Sequence, residues 1–125
     1  MIIDASALLA LLQDEPGSAI TEKALETGSM SAANLSEVTS KLIQAGVPEK
    51  EVIAILRSFD LDIVPVDSGT AFLAGILINK TQDYGLSLGD RLCLATAIIR
   101  NQPAITADKA WAKVKHEGLE VIVIR

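Results

Sequence analysis

Apolar positions in this chain fall into short runs that alternate with helical stripes. Ile2-Ile3 is a two-residue apolar run ended by Asp4, which predicts a strand and then a helix over Ala5–Leu12 capped by Asp4 or Ser6. Asp14-Glu15-Pro16-Gly17 breaks that helix, and Ser18–Glu26 reads as an amphipathic one with Ile20, Ala24 and Leu25 inward. Gly28 turns the chain into a strand near Ser29–Ala32. Asn34 is then placed to cap a helix through Ala45 with Leu35, Val38, Leu42 and Ala45 on its apolar face. Gly46 ends it and Pro48 starts the next, Glu49–Phe59, with Val52, Ile53, Leu56 and Phe59 inward. Leu61–Val66 predicts a strand whose Pro65 suits a sheet edge or a strand end. Asp67-Ser68 caps a long apolar helix carrying Ala71, Phe72, Leu73, Ile76, Leu77 and Ile78. Leu92–Ile99 has almost no polarity and reads as a helix buried on most sides, opened by Gly89-Asp90. Pro103–Thr106 predicts a strand, Ala107-Asp108 leads into a short helix with Trp111 and Val114, Gly118 ends it, and Leu119–Ile124 is the last strand.

Strands alternating with helices imply parallel pairing through right-handed crossovers. The expected fold class is α/β, a three-layer α/β/α sandwich around a small parallel sheet of four or five strands, with residues 1–125 forming a single domain. Ligand sites in such folds lie at the carboxyl ends of the strands.

Composition sharpens this outline. Half of the 125 residues are apolar and only 3% are aromatic, so the core must be aliphatic. The single Cys93 excludes an internal disulfide and a thiolate metal cluster; its apolar surroundings make it a small core hydrophobe, consistent with a reducing cytoplasm. No run reaches the ~18–20 apolar residues needed to span a membrane, and Met1–Asp4 lacks the basic start of a signal peptide. A net charge of −5 argues against a broad surface held to nucleic acid by phosphate contacts alone. The helices over Ala5–Leu12, Val52–Phe59 and Ala71–Ile78 carry more apolar surface than a small monomer needs, which predicts a second copy or a partner helix against one of them.

Four carboxylates share one placement. Asp4 follows the first strand, Glu37 lies in the first turn of the helix after the second, Asp90 opens the buried helix, and Asp108 follows the fourth strand. Each could be a helix cap or a dipole partner, worth ~0.3–1 kcal/mol. A solvated pair with Lys41, four residues on, explains Glu37 about as well. Asp90 resists that explanation most, because its helix is otherwise apolar. Adjacent parallel strands would bring all four acids to one sheet edge, where their mutual repulsion calls for a divalent cation. Mg²⁺ or Mn²⁺ suits such an all-oxygen site. His116 stands alone and reads as a helix-end dipole partner, not a ligand.

These residues resemble the PIN-domain family, and within it the VapC-type toxins of toxin–antitoxin pairs. The resemblance is carried by Ile3-Asp4-Ala5-Ser6, by Asn34-Leu35-Ser36-Glu37-Val38, by Gly85-Leu86-Ser87-Leu88-Gly89-Asp90-Arg91-Leu92-Cys93-Leu94-Ala95-Thr96-Ala97 and by Ile105-Thr106-Ala107-Asp108. It covers essentially the whole chain. It implies an endoribonuclease dependent on Mg²⁺ or Mn²⁺, a homodimer, and a cognate antitoxin that blocks the cleft. By resemblance, Asp4, Glu37, Asp90 and Asp108 are the metal-binding acids, and Ser6 and Thr106 are polar companions that orient water or the ligands. Arg91, Lys41 and Lys109 then become candidates for steering an RNA backbone, and Gly89 gives the chain room for close approach.

Two rival readings remain. A receiver-like phosphoacceptor is also a small parallel α/β fold with acids and Mg²⁺, but it needs paired acids after the first strand and a lysine after the last. A binding module of the same fold without catalysis would keep the fold and drop the chemistry.

Overall fold

The computed structural model describes Met1–Arg125. Five short strands, β1 (Ile2–Ile3), β2 (Ser29–Ser31), β3 (Asp62–Val64), β4 (Ala104–Thr106) and β5 (Val121–Val123), pair in parallel in the order β3-β2-β1-β4-β5. β3 lies at an edge, as Pro65 demands. The order differs from the 2-1-3-4-5 arrangement of receiver domains, which sets that reading aside.

Successive strand residues point to opposite faces, and the two cores follow from this. Ile3 and Ile105 face one core, built with Ala7, Leu8, Val38, Val52 and Leu56 of α1 (Ala5–Leu12), α3 (Ala32–Gln44) and α4 (Glu49–Ser58); α2 (Ser18–Ala24) joins through Ala24. Ile2 and Ala104 face the other core, with Ala74 of α5 (Ser68–Ile76) and Leu92, Cys93, Leu94, Ala95 and Ala97 of α7 (Leu88–Arg100). The result is a three-layer α/β/α sandwich.

Several boundaries differ from the sequence expectation. Ser31, not Asn34, caps α3; its Oγ accepts from Ala33 N at 3.2 Å. The long helix expected after Asp67 is interrupted at Leu77, giving α5 and a single turn α6 (Ile78–Thr81), followed by a 3-10 turn over Gln82–Tyr84. The short helix after Asp108 is also 3-10, over Lys109–Lys113. Ile20 and Ile53, expected inward, are exposed, as are Phe72 (74%) and Ile76 (68%). The shorter elements bury fewer stripe positions than an ideal amphipathic helix would.

Candidate metal and active site

Asp4 caps α1 from the end of β1 and is 2% exposed. Its Oδ2 receives Ser6 Oγ at 2.6 Å, Thr106 Oγ1 at 3.0 Å and, more loosely, Ser6 N at 3.4 Å. The two hydroxyls lie 3.1 Å apart and are pinned in turn by Ala107 N–H, which donates to Ser6 Oγ, and Asp108 N–H, which donates to Thr106 Oγ1. Thus the β4–Asp108 turn fixes both hydroxyls, and both hydroxyls fix Asp4. Asp4 Oδ1 has no partner and is buried. A buried carboxylate oxygen without a donor is costly to ionise. Burial, with smaller contributions from the charges of Asp90 and Glu37, pushes Asp4 up from 3.8 to about 6 against the pull of Ser6 and Thr106.

Glu37 and Asp90 face Asp4 across one cleft, lined by Asp4, Ala5, Ser6, Leu9, Glu37, Lys41 and Asp90 and about 260 Å³ in volume. Three larger hollows, of about 430, 410 and 320 Å³, hold none of the four acids. Glu37 is raised by burial first and by Asp90's charge second; Asn34 and Lys41 pull it back. Asp90 is raised by burial and by Asp108's charge, and lowered by its bonds at Ser87.

Two local devices hold these side chains. Asp90 and Ser87 form a capping box on α7, with Ser87 N–H donating to Asp90 Oδ2 at 2.9 Å and Asp90 N–H donating to Ser87 Oγ at 3.2 Å. Capping therefore accounts for one oxygen of Asp90, the acid that the apolar sequence of its helix leaves least explained by capping. Asn34, fully buried inside α3, donates through Nδ2 to Glu37 Oε1 at 3.2 Å and to Gly89 O at 3.3 Å. Sequence reading missed this role. Its signal was an asparagine three residues before Glu37, where one helical turn aligns the two side chains.

Asp108 stands apart. It is exposed, caps the 3-10 helix after β4 through Ala110 N–H at 3.0 Å, and does not line the cleft, although its charge reaches Asp90. Arg91 also departs from expectation: its Nη1 donates to Ala74 O at 3.0 Å, tying α7 to α5 instead of facing the cleft. Lys41 does line the cleft and Lys109 is exposed. His116 accepts from Lys80 Nζ at 2.9 Å in place of serving a helix end, and Cys93 is buried with its thiol pushed well up, mainly by burial.

As the side chains stand, no three His, Cys, Asp or Glu groups are gathered tightly enough to grip a metal ion. Each cleft acid spends one oxygen on internal donors: Asp4 on two hydroxyls, Glu37 on Asn34, Asp90 on its own cap. The remaining donor set is nonetheless all oxygen. Its centre is the orphaned Asp4 Oδ1, and acids crowded enough to raise one another lie around it. These residues fit a hard divalent cation.

The PIN domain family model matches residues 1–117. Ribonuclease VapC42 of Mycobacterium tuberculosis is 29% identical over 118 residues, covering 84% of this chain and 88% of that protein. A VapC ribonuclease of Mycobacterium bovis matches to the same extent. Among solved structures, VapBC2 from Rickettsia felis bound to a promoter DNA fragment superposes with a TM-score of 0.76 at 18% identity, covering 98% of this chain and 96% of that one. A toxin–antitoxin complex from Klebsiella pneumoniae gives 0.72 at 22% identity, covering 99% and 97%.

Proposed function

This chain belongs to the PIN-domain family, and we propose that it is a metal-dependent endoribonuclease, the toxin of a toxin–antitoxin pair, with residues 1–125 as a single PIN domain. The observation that carries this reading is the unpartnered, buried Oδ1 of Asp4 in a cleft shared with Glu37 and Asp90. Its curated relatives, named as VapC ribonucleases, support the same activity.

We assign Asp4, Glu37 and Asp90 as the ligands of Mg²⁺ or Mn²⁺, with Asp108 as a fourth acid that joins by leaving its cap on Ala110. Bound there, the cation would neutralise charge on the phosphodiester and acidify nearby water. The chain's own part is positioning. Ser6 and Thr106 keep Asp4 in one rotamer, Asn34 does so for Glu37, and Ser87 for Asp90. Lys41, at the cleft, supplies a positive charge for a non-bridging phosphate oxygen. The lone His116 is engaged by Lys80, so no histidine pair is available to activate a 2′-hydroxyl. Hydrolysis by water leaves a 5′-phosphate and a 3′-hydroxyl.

The partners follow from the same reading: an RNA substrate, a cognate antitoxin that closes the cleft, and a second copy against the exposed Phe72 and Ile76 of α5. No helix is long and apolar enough to cross a membrane. We assign the cytoplasm as its place of action, where its RNA substrate is found. The test is cleavage of a mixed RNA by the purified protein with Mg²⁺, with Mn²⁺ and with EDTA. Asp4→Asn and Asp90→Asn should each abolish cutting and leave the far-ultraviolet circular dichroism spectrum unchanged. Cleavage at wild-type rate by both variants, or cyclic phosphate ends, refutes the assignment.

A further inference from the structure

On a chain of net charge −5, cations gather in one place away from the cleft. Lys80, Lys113 and Lys115 line a shallow hollow of about 200 Å³ with Asn79, Asp83 and Tyr84. The only salt bridges in the molecule are Arg100–Asp62 and Arg125–Glu15, so none of the three lysines is paired with an acid, Asp83 included. Lys80 donates to His116, and the Lys113 ammonium sits 6.0 Å from the centre of the Tyr84 ring. Three ammonium groups against the single carboxylate of Asp83 leave the lining net positive, and an anionic ligand would complement it.

The chain path ties this hollow to the acids on two sides. Tyr84 is three residues from Ser87, the cap that holds Asp90, a reach of at most about 11 Å. Lys113 ends the 3-10 helix that Asp108 caps, about 10 Å away at ~2 Å per residue, and Lys109 lies between. Within this hollow Tyr84 offers a flat ring open to solvent, at 37%; Trp111 is wholly buried, and the other exposed ring, Phe72, lies on α5 outside the hollow. Cations beside an exposed aromatic ring are what single-stranded nucleic acid uses. A protein partner would find little apolar ground, because only Tyr84 in this lining carries a large apolar surface.

We propose that Lys80, Lys113 and Lys115, with Tyr84, form a second substrate-binding surface that holds the backbone of single-stranded RNA flanking the scissile bond. This rests on the ribonuclease reading above.

The experiment measures binding of a labelled, unstructured RNA of about twenty nucleotides by fluorescence anisotropy in EDTA, across a salt series. The wild type is compared with a Lys80→Gln, Lys113→Gln, Lys115→Gln triple variant. The variant should bind about tenfold or more weakly at low salt, and its log–log salt slope should be shallower by about 2, at ~0.7 per phosphate contact. In Mg²⁺ its KM should rise while kcat holds. An unchanged slope with unchanged affinity overturns the proposal and leaves the patch to a protein partner. Failure of the wild type to bind RNA in EDTA overturns this proposal, while the ribonuclease reading is judged separately by cleavage of the same RNA in Mg²⁺. A shifted slope alongside undiminished cleavage by Asp90→Asn would keep the surface and discard the assigned catalytic site.

Discussion

Glu37 occupies the space that a side chain on Gly89 would need. A Cβ at position 89 would stand 2.7 Å from Glu37 Cδ and closer still to Oε1. Glycine inside α7 is therefore the condition for bringing the Glu37 carboxylate against the start of the helix that carries Asp90, and Asn34 bridges the same two partners. Replacing a helical glycine by alanine ordinarily stabilises by roughly 0.5–1 kcal/mol. The obstructing group is the end of a flexible side chain, which can swing away. Gly89→Ala should thus melt at or above the wild-type temperature and yet cut RNA at least about tenfold more slowly, as a displaced carboxylate costs in a preorganised site. Thermal unfolding and a cleavage time course on the same preparation check both halves; wild-type cleavage would mean Glu37 is not needed where it lies.

Arg91 leads to the opposite expectation. It stands beside Asp90 in sequence, which made it a candidate for steering RNA. Its guanidinium instead reaches across to Ala74 O, the only hydrogen bond it makes, and Arg91 Nε is buried without a partner. Losing a hydrogen bond from a charged donor costs ~1.5–3 kcal/mol. Arg91→Ala should lower the unfolding free energy by that order, read as a lower urea midpoint at unchanged m. The salt dependence of RNA binding should not move. A shallower salt slope with intact stability would return Arg91 to the substrate.

Much of this was legible in the residues, for physical reasons that differ from element to element. Parallel α/β order follows from alternating apolar runs and capped stripes, and Asp67 caps its helix as expected, accepting from Thr70 N–H at 2.8 Å. The convergence of Asp4, Glu37 and Asp90 follows from that order, because the strand ends meet at one edge. What periodicity could not supply was side-chain direction. Asn34 has the type of a cap and the spacing of an interior position, and Ser31 outcompetes it because β2 ends there. Arg91 points away from the cleft although its neighbour Asp90 lines it, since consecutive helical residues face about 100° apart. The rank of the acids also changed. From sequence, Asp90 is the acid that capping explains least, whereas the structure gives it a complete capping box and leaves Asp4 with the orphaned oxygen.

The exposed face of α5 bears on assembly. Phe72 is 74% and Ile76 68% exposed, one turn apart, and Gly75 between them leaves open space beside the helix. If a second copy covers this face, each side chain contributes about 1.5–3 kcal/mol on burial. Phe72→Asp with Ile76→Asp should then raise the dimer dissociation constant by a factor of about 100 or more. Neither side chain is a buried member of either core, so the melting of the monomer should change little. Light scattering over a concentration series reads the result, and a wild type that is monomeric at micromolar concentration would remove the dimer altogether.

Asp4 makes a prediction whose sign separates strain from structural capping. Its folded value, about 6, lies above the ordinary 3.8, so the folded state holds the proton more tightly than the unfolded chain. The cost of ionising it is absent below about pH 4 and complete above about pH 6, where it is on the order of 3 kcal/mol. Stability should therefore fall as pH rises through that window. Asp4→Asn removes the charge but not the volume, so its stability relative to wild type should climb over the same window and flatten above it. Glu37 and Asp90, raised in the same direction, and the exposed Asp62 and Asp67, lowered by Arg100 and by the backbone of Thr70, are common to both proteins and largely cancel in the difference. Millimolar Mg²⁺ should raise the wild-type melting temperature at pH 7.5, raise it less at pH 5, and leave Asp4→Asn nearly unmoved, because a cation that binds only the folded carboxylates stabilises by mass action. A difference between the two proteins that stays level from pH 4 to 7.5, with equal responses to Mg²⁺, would mean that Asp4 is an ordinary satisfied helix cap.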